Sequence, residues 1–295
     1  DWGSRAQFTM AMLNKCVEYY ALTEDYSVSM EFRYTGDVKN MQFWVYTPSG
    51  TQAPTLNSLI DAGTAIVVAD GYRFSFGEIV KDKWYKVYID IHKFGAIEIR
   101  NPNIGVQVAS QTSIQYKMPE FVKSSDIPDA KVPFPFNAVR PSVTLTTELN
   151  NGDAITTYTN TIDNNHWESR IQLTPAAYGE YVRKYAAGNK VMSIDLKYEG
   201  TVSEIQFWKM GGDGGYSGGT PTFSGMISDG TITLYKADGT TCAFADMVAG
   251  EWYTAKFDMA KFGALNAGSG NYGFHMGCSN ATTMQFKNFK FEDKN

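Results

Sequence analysis

The sequence is short of the features that announce most chemistries. It has three cysteines, Cys16, Cys242 and Cys278, with no Cys-x-x-Cys spacing, which excludes a zinc ribbon and a disulfide scaffold. Its three histidines, His92, His166 and His275, have no metal-ligand spacing, and no His-Glu-x-x-His occurs. Leucine is scarce, with 10 against 26 threonines. That balance disfavours a helix bundle and favours strands, where β-branched and aromatic side chains pack well. Charged residues make up only 19%, and the formal net charge is −5. Without a basic face to meet phosphates, nucleic acid is not an expected partner. No apolar run approaches the ~18 residues of a membrane-spanning helix, so no membrane partner is expected either. The first residues lack a basic-then-apolar leader, so the chain reads as a mature or trimmed segment.

What is plentiful is aromatic: 18 Tyr, 18 Phe and 6 Trp in 295 residues. The chain also repeats itself, and a repeat is read before any motif. Trp2-Gly-Ser-Arg5 returns as Trp167-Glu-Ser-Arg170, and Gln42-Phe-Trp44 as Gln206-Phe-Trp208. Ala69-Asp-Gly71 returns as Ala237-Asp-Gly239, Trp84-Tyr85 as Trp252-Tyr253, and Lys93-Phe-Gly-Ala96 as Lys261-Phe-Gly-Ala264. Gln115 and Lys117 match Gln285 and Lys287. The order is kept and the offset drifts slowly, as small loop insertions produce. One fold is therefore used twice. The expected division is a first lobe over 1–125, a proline-bearing linker or bridging strand over 126–141, and a second lobe over 142–295. The second lobe has an extra lead-in, Ser142 to Asn165. Either the sequence begins after its counterpart, or this stretch belongs to the joint between lobes.

Period-two patterning predicts half-buried strands at Met30–Tyr34 and Ile194–Tyr198, with further strands after each Trp-Tyr pair. Asp70-Gly71 and Asp238-Gly239 read as hairpin turns. Helix signals are thin: only 8–21 and 174–186 are expected to hold a turn or two, the latter carrying Pro175. The predicted fold is all-β, two tandem antiparallel β-sandwich lobes of jelly-roll type.

The matched strand carries the functional reading. Met41, Phe43 and Val45 share one face, and Gln42, Trp44 and Tyr46 the other. In the second copy Ile205 and Phe207 point inward while Gln206 and Trp208 point outward. An aromatic beside an amide suits a sugar, whose CH face stacks on a ring while its hydroxyls take planar hydrogen-bond partners. Arg5 and Arg170 alternate against Ser4 and Ser169 and are candidates for the same face. A glycine-rich loop from Gly211 to Gly219 occurs only in the second copy and offers Tyr216 as a further platform. The competing reading packs Trp44 and Trp208 under a loop or against the other lobe. Trp84 and Trp252 read as structural.

Catalytic signatures do not hold together. Gly215-Tyr-Ser-Gly-Gly219 matches a nucleophile elbow but sits in a glycine tract rather than between a strand and a helix. Gly268-Ser-Gly-Asn-Tyr-Gly273 matches a dinucleotide fingerprint with no helix after it. A glycosidase needs two carboxylates flanking a cleft. Only Glu31 with Asp195, and Asp90 with Asp258, recur. No enzyme activity and no cofactor are expected, apart from a structural calcium held by Asp163, Asn164 and Asn165.

With Gln-x-Trp on a matched strand and Trp-Tyr opening another, the chain resembles bacterial carbohydrate-binding modules. Its duplicated layout is similar to the two-lobed starch-binding domain of starch-adherence proteins in gut ruminococci. The resemblance implies a non-catalytic, secreted or cell-surface module of a larger multi-domain protein. Its implied partner is starch or a malto-oligosaccharide, gripped in a groove using both lobes. β-Glucan or another plant polysaccharide is the alternative ligand, and an adhesin or spacer without a sugar site is the alternative class.

Overall fold

Alternating apolar and polar residues become antiparallel strand pairs throughout both halves. The computed structural model describes residues 6–36, 41–96, 104–108, 113–150, 153–163, 165–211, 215–216, 219–268 and 270–294. The chain divides into two units, Asp1–Ala130 and Lys131–Asn295. Each is an all-β sandwich of two antiparallel sheets.

In the first unit one sheet runs in the order Ala6–Gln7, Ile104–Val108, Met41–Thr47, Gly50–Gln52. The other runs Glu120–Lys123, Tyr26–Thr35, Tyr85–Asp90, Ala65–Ala69, Tyr72–Phe74, with Ser113–Tyr116 also paired to Tyr26–Thr35. The alternation read from the sequence decides the faces: Met41, Phe43 and Val45 are buried, while Gln42, Trp44 and Tyr46 opposite them are half-buried. Asp70 and Gly71 both take positive φ, at 52° and 79°. That is the two-residue turn the sequence predicted, joining Ala69 to Tyr72.

The second unit repeats the plan. Its smaller sheet runs Phe136–Ala138, Ile171–Leu173, Asn271–Cys278, Ile205–Lys209, with Asn266–Gly268 paired to Asn271–Cys278. Its larger sheet runs Val143–Asn150, Asp153–Asn160, Thr282–Asp293, Lys190–Gly200, Tyr253–Asp258, Ile232–Lys236. The lead-in 142–165 thus supplies a hairpin to this sheet. The stretch 126–141, expected as a linker or bridging strand, carries part of the second core: Val132 and Phe136 are buried in it, and Phe136–Ala138 pairs as a strand with Ile171–Leu173. Four phenylalanines surround Phe207, which has no exposed surface. Phe223, Phe257, Phe262 and Phe274 sit with ring centroids 5.6–6.4 Å away.

Helix is more extensive than the sequence suggested. Met10–Tyr20 and Pro175–Ala187 are full helices of 11 and 13 residues. Thr9 and Thr174 cap them, each hydroxyl accepting from the amide three residues on. Pro175 occupies the first turn, where its fixed φ suits the helix and its missing N–H costs nothing. Each helix follows a strand of its smaller sheet, Ala6–Gln7 in the first unit and Ile171–Leu173 in the second, and buries one stripe, Leu13 and Cys16 in the first, Ala177 and Tyr181 in the second.

Removing the central ring should show that the second unit has its own core. Phe207→Ala is expected to cost about 3–5 kcal/mol. The check is chemical denaturation followed by tryptophan fluorescence and near-UV circular dichroism. The destabilised transition should be that of Lys131–Asn295, leaving the first unit's transition in place.

Candidate functional site

In the second unit the outer face of the smaller sheet holds a dense group of aromatic and polar side chains. It begins with strand register. Gln172, His275 and Trp208 lie in one row across three neighbouring strands. Their neighbours along each strand, Ile171, Met276 and Phe207, point into the core. Period two therefore sends the first three residues outward together.

A tight turn covers part of that face. The Asn165 side chain accepts from the Glu168 amide at 3.2 Å, and the Ser169 hydroxyl reaches His166 O at 3.0 Å and Cys278 O at 2.7 Å. Gly277 makes room for it. A Cβ there would meet His166 O at 2.2 Å, so only glycine lets the turn lie on the strand. The turn delivers Trp167 and Arg170 over the sheet. A second piece of chain comes from the glycine loop, where Gly211 N donates to Gly215 O at 2.6 Å and Tyr216 bridges back to Met210.

Arg170 joins these parts, although it is only 2% exposed. Its Nε donates to Trp167 O at 2.6 Å, and its Nη1 donates to the Tyr216 hydroxyl and, at 3.1 Å, to His275 Nδ1. Its guanidinium carbon lies 3.3 Å from the Trp167 ring centroid. The Tyr216 hydroxyl donates to His275 Nδ1 at 2.8 Å, and His275 Nε2 donates to Gln172 Oε1 at 2.9 Å. These partners require the neutral imidazole with its proton on Nε2, because Nδ1 must accept. Burial, and then the positive charges of Arg170 and Arg140, push the His275 pKa down to about 4. Burial likewise lowers the Arg170 pKa and raises that of Tyr216.

The structure redistributes the expected roles. Trp208 is on the outer face, as read, but it is only 7% exposed. Trp167 stands edge-on to it at 5.8 Å, so Trp208 supports the surface rather than forming an open platform. Gln206 is half-buried beside it. Arg170 is an internal strut. The exposed rings are Trp167, at 39%, and Tyr216, at 41%, packed edge-on 5.2 Å apart. Trp167 was missed as a site residue. The signal was present in the Trp-x-Ser-Arg repeat, but only the arginine of that unit was weighed. His275 alternates against Phe274 and Met276, which places it on the polar face, and it lies there; Gln172 is the residue that no local signal marks.

In the first unit Gln42, Trp44 and Tyr46 share the corresponding face. Trp44 lies opposite Gly105 and Gln42 opposite Gln107. Arg5 lies outside the described residues. The counterpart of Tyr46 is Met210, which is buried, so the two faces differ in their exposed aromatics.

The other candidates have structural partners. Trp84 lies under Arg33 and Lys117, and Trp252 under Lys197 and Lys287. These matched cation–π stacks agree with the structural reading. Glu31 pairs with Lys117, whereas Asp195 accepts from Thr254 and Asn288. Next to the cluster in sequence, Glu168 faces Arg140, and Glu204 accepts from Ser224. Asp163 accepts from the Ala281 amide, and Asn165 holds the turn. Asn164, Ser217 and Ser269 lie outside the described residues. No group of three or more His, Cys, Asp or Glu suited to a metal occurs among the described residues. Chemically, the face can stack rings and exchange neutral hydrogen bonds.

No family model matches the chain, and no curated protein matches it. Among solved structures it is similar to the N-terminal CBM22-1-CBM22-2 tandem domain of Xyn10C from Paenibacillus barcinonensis. The match has 10% identity and a TM-score of 0.28, covering 99% of this chain and 82% of that one. A superposition this loose carries nothing about a ligand from that protein to this chain.

The histidine supplies a pH test. Its folded pKa lies below the ~6.5 of an exposed imidazole, so the folded state favours the neutral form. That contribution is complete above ~6.5 and is lost as pH falls through 4. It amounts to roughly 3 kcal/mol. Denaturation between pH 7 and 4 should show the second unit weakening over that window. His275→Gln should start less stable at pH 7 and show a shallower slope over the same range.

Proposed function

We propose that the chain is a non-catalytic polysaccharide-binding protein, with starch as its first candidate ligand. The observation that supports this is the pair of exposed rings, Trp167 and Tyr216, fixed by hydrogen bonds and packing around Arg170. Stacking on a sugar requires rings that are exposed yet already ordered. A floppy aromatic would lose rotamer freedom on binding, and that loss offsets the gain from contact. Here the ordering precedes the ligand. In the first unit Trp44 and Tyr46, flanked by Gln42, offer a second, half-buried aromatic surface. Two linked weak sites raise apparent affinity on a repeating polymer. Starch is preferred because irregular, edge-packed rings suit a curved glucan better than the flat aromatic row that suits a crystalline face. A place outside the cell, within a larger surface protein, belongs to the same proposal.

Affinity electrophoresis of the purified chain tests it, with gels containing amylopectin, β-glucan, xylan or no polysaccharide. Retardation in amylopectin is expected. Retardation only in β-glucan or xylan would overturn starch and keep polysaccharide binding. Free migration in every gel would overturn the proposal in favour of an adhesin or spacer. Trp167→Ala should weaken retardation roughly tenfold, about 1.4 kcal/mol, with the near-UV spectrum of the fold retained. Binding should change little between low and moderate salt, since its partners are rings and neutral hydrogen-bonding groups.

A further inference from the structure

The two units are copies, so each sheet edge in one has a counterpart in the other. Strand pairing fixes the correspondence. In the larger sheets Phe32 faces Tyr116 and Tyr34 faces Ile114, while Leu196 faces Phe286 and Tyr198 faces Met284. Ile114 and Tyr116 are therefore the counterparts of Met284 and Phe286. In the smaller sheets Ala6 and Phe43 both face Val106, and Ile171 and Phe207 both face Met276. Ala6 and Gln7 are therefore the counterparts of Ile171 and Gln172.

In the second unit, parts of one stretch of chain, 132–160, close both of these edges. Phe136–Ala138 pairs with Ile171–Leu173. The hairpin of Val143–Asn150 and Asp153–Asn160 lies along residues 282–286. Phe136 is buried with its ring 5.1 Å from that of Phe286. Tyr158, opposite Met284, is buried and its hydroxyl donates to Ser169 O at 2.8 Å. Under this cover Phe286 is 2% exposed. In the first unit, among the described residues, Ala6–Gln7 pairs only with Ile104–Val108, and Ser113–Tyr116 only with Tyr26–Thr35. Ala6 and Gln7 are both exposed. Tyr116 is 37% exposed where the second unit hides Phe286, and Ile114 is half-buried where it hides Met284. An open edge offers its backbone groups to a further strand, and natural edges resist that with charge, proline or a bulge. Ser113-Ile-Gln-Tyr116 has neither charge nor proline.

We infer that the first unit binds an extended polypeptide segment along this side by strand addition, as the second unit holds its own stretch 132–160. The chemistry of the partner follows from the segment seated on the counterpart edges. It is a short strand whose aromatic residue enters beside Tyr116, as Phe136 enters beside Phe286. A threonine-rich hairpin follows, with a second aromatic opposite Ile114, as Tyr158 is opposite Met284. Main-chain hydrogen bonds to the two edges supply affinity, and the two rings supply specificity. Covering Tyr116 adds to the affinity by removing its ring from water. A second copy of this chain laid edge to edge would pair the backbone without supplying the two rings. The surface lies on the sheet edges, apart from the outer aromatic faces, and does not depend on the glycan proposal.

The test is titration of the full chain with a synthetic peptide of residues 132–160, read by calorimetry and by amide hydrogen exchange. The peptide should saturate at one equivalent with micromolar affinity and slow exchange at Ser113–Tyr116 roughly tenfold. A peptide carrying Phe136→Lys and Tyr158→Lys should not bind. Tyr116→Lys in the chain should weaken binding of the unaltered peptide at least tenfold. If that variant does not fold, the altered peptide and the exchange pattern of the wild-type chain still decide. Absence of binding at the solubility of the peptide would overturn the inference. So would slowing confined to residues 282–286, which would mean exchange with the resident hairpin. A dimer of the chain in sedimentation that protects Ser113–Tyr116 without peptide would also overturn it, in favour of a second copy at this edge.

Discussion

Burying one guanidinium is the constraint around which the second unit's outer face is built. A buried cation is costly unless every donor finds an acceptor. Arg170 is met by a carbonyl, a hydroxyl, an imidazole nitrogen and the face of an indole, with no carboxylate among the described residues bonded to it. Each partner is fixed in turn. The carbonyl belongs to a turn that exists because Gly277 lacks a Cβ. The hydroxyl arrives on a hairpin from the glycine loop, and the imidazole must stay neutral to accept. Ring positions at the surface therefore follow from hydrogen bonds beneath it.

The duplicated framework separates what the fold requires from what each copy adds. Both units keep the inward Phe of the Gln-Phe-Trp strand, a threonine-capped helix, a tryptophan under two cations and an aspartate capping the Lys-Phe-Gly turn. These hold the sheets together. The units differ where packing is less constrained: a glycine loop in one copy, a buried methionine opposite a half-buried tyrosine, a cysteine opposite a tyrosine in the core. Function is more readily placed in these differences than in the shared parts.

Much of the fold was legible because strand periodicity and the repeat reinforce each other. Alternation at Met41–Tyr46 put the right residues in the core, and Asp70-Gly71 marked a real turn. Both helices exceed the turn or two expected of them, and Pro175 stands in the first turn, where it does not interrupt the second. The candidate site was only half legible. Facing is a local property, and Trp208 does point outward. Whether an outward ring meets solvent depends on what folds back over it, and here the turn bearing Trp167, distant in sequence, does so. That covering moves the exposed role from Trp208 to Trp167 and turns Arg170 from a contact into a support. No pattern within a single strand encodes it.

The three thiols divide between the units in a useful way. Cys16 is buried in the first and Cys278 in the second, each 1% exposed and each with its pKa pushed up to about 12. Cys242 is half-buried in the second. A thiol reagent at neutral pH therefore meets Cys242 in the folded protein, while the other two react only when their own unit opens. With Cys242 replaced, the chain carries one native clock in each sandwich, and their rates report separately how often each copy of the same fold comes apart.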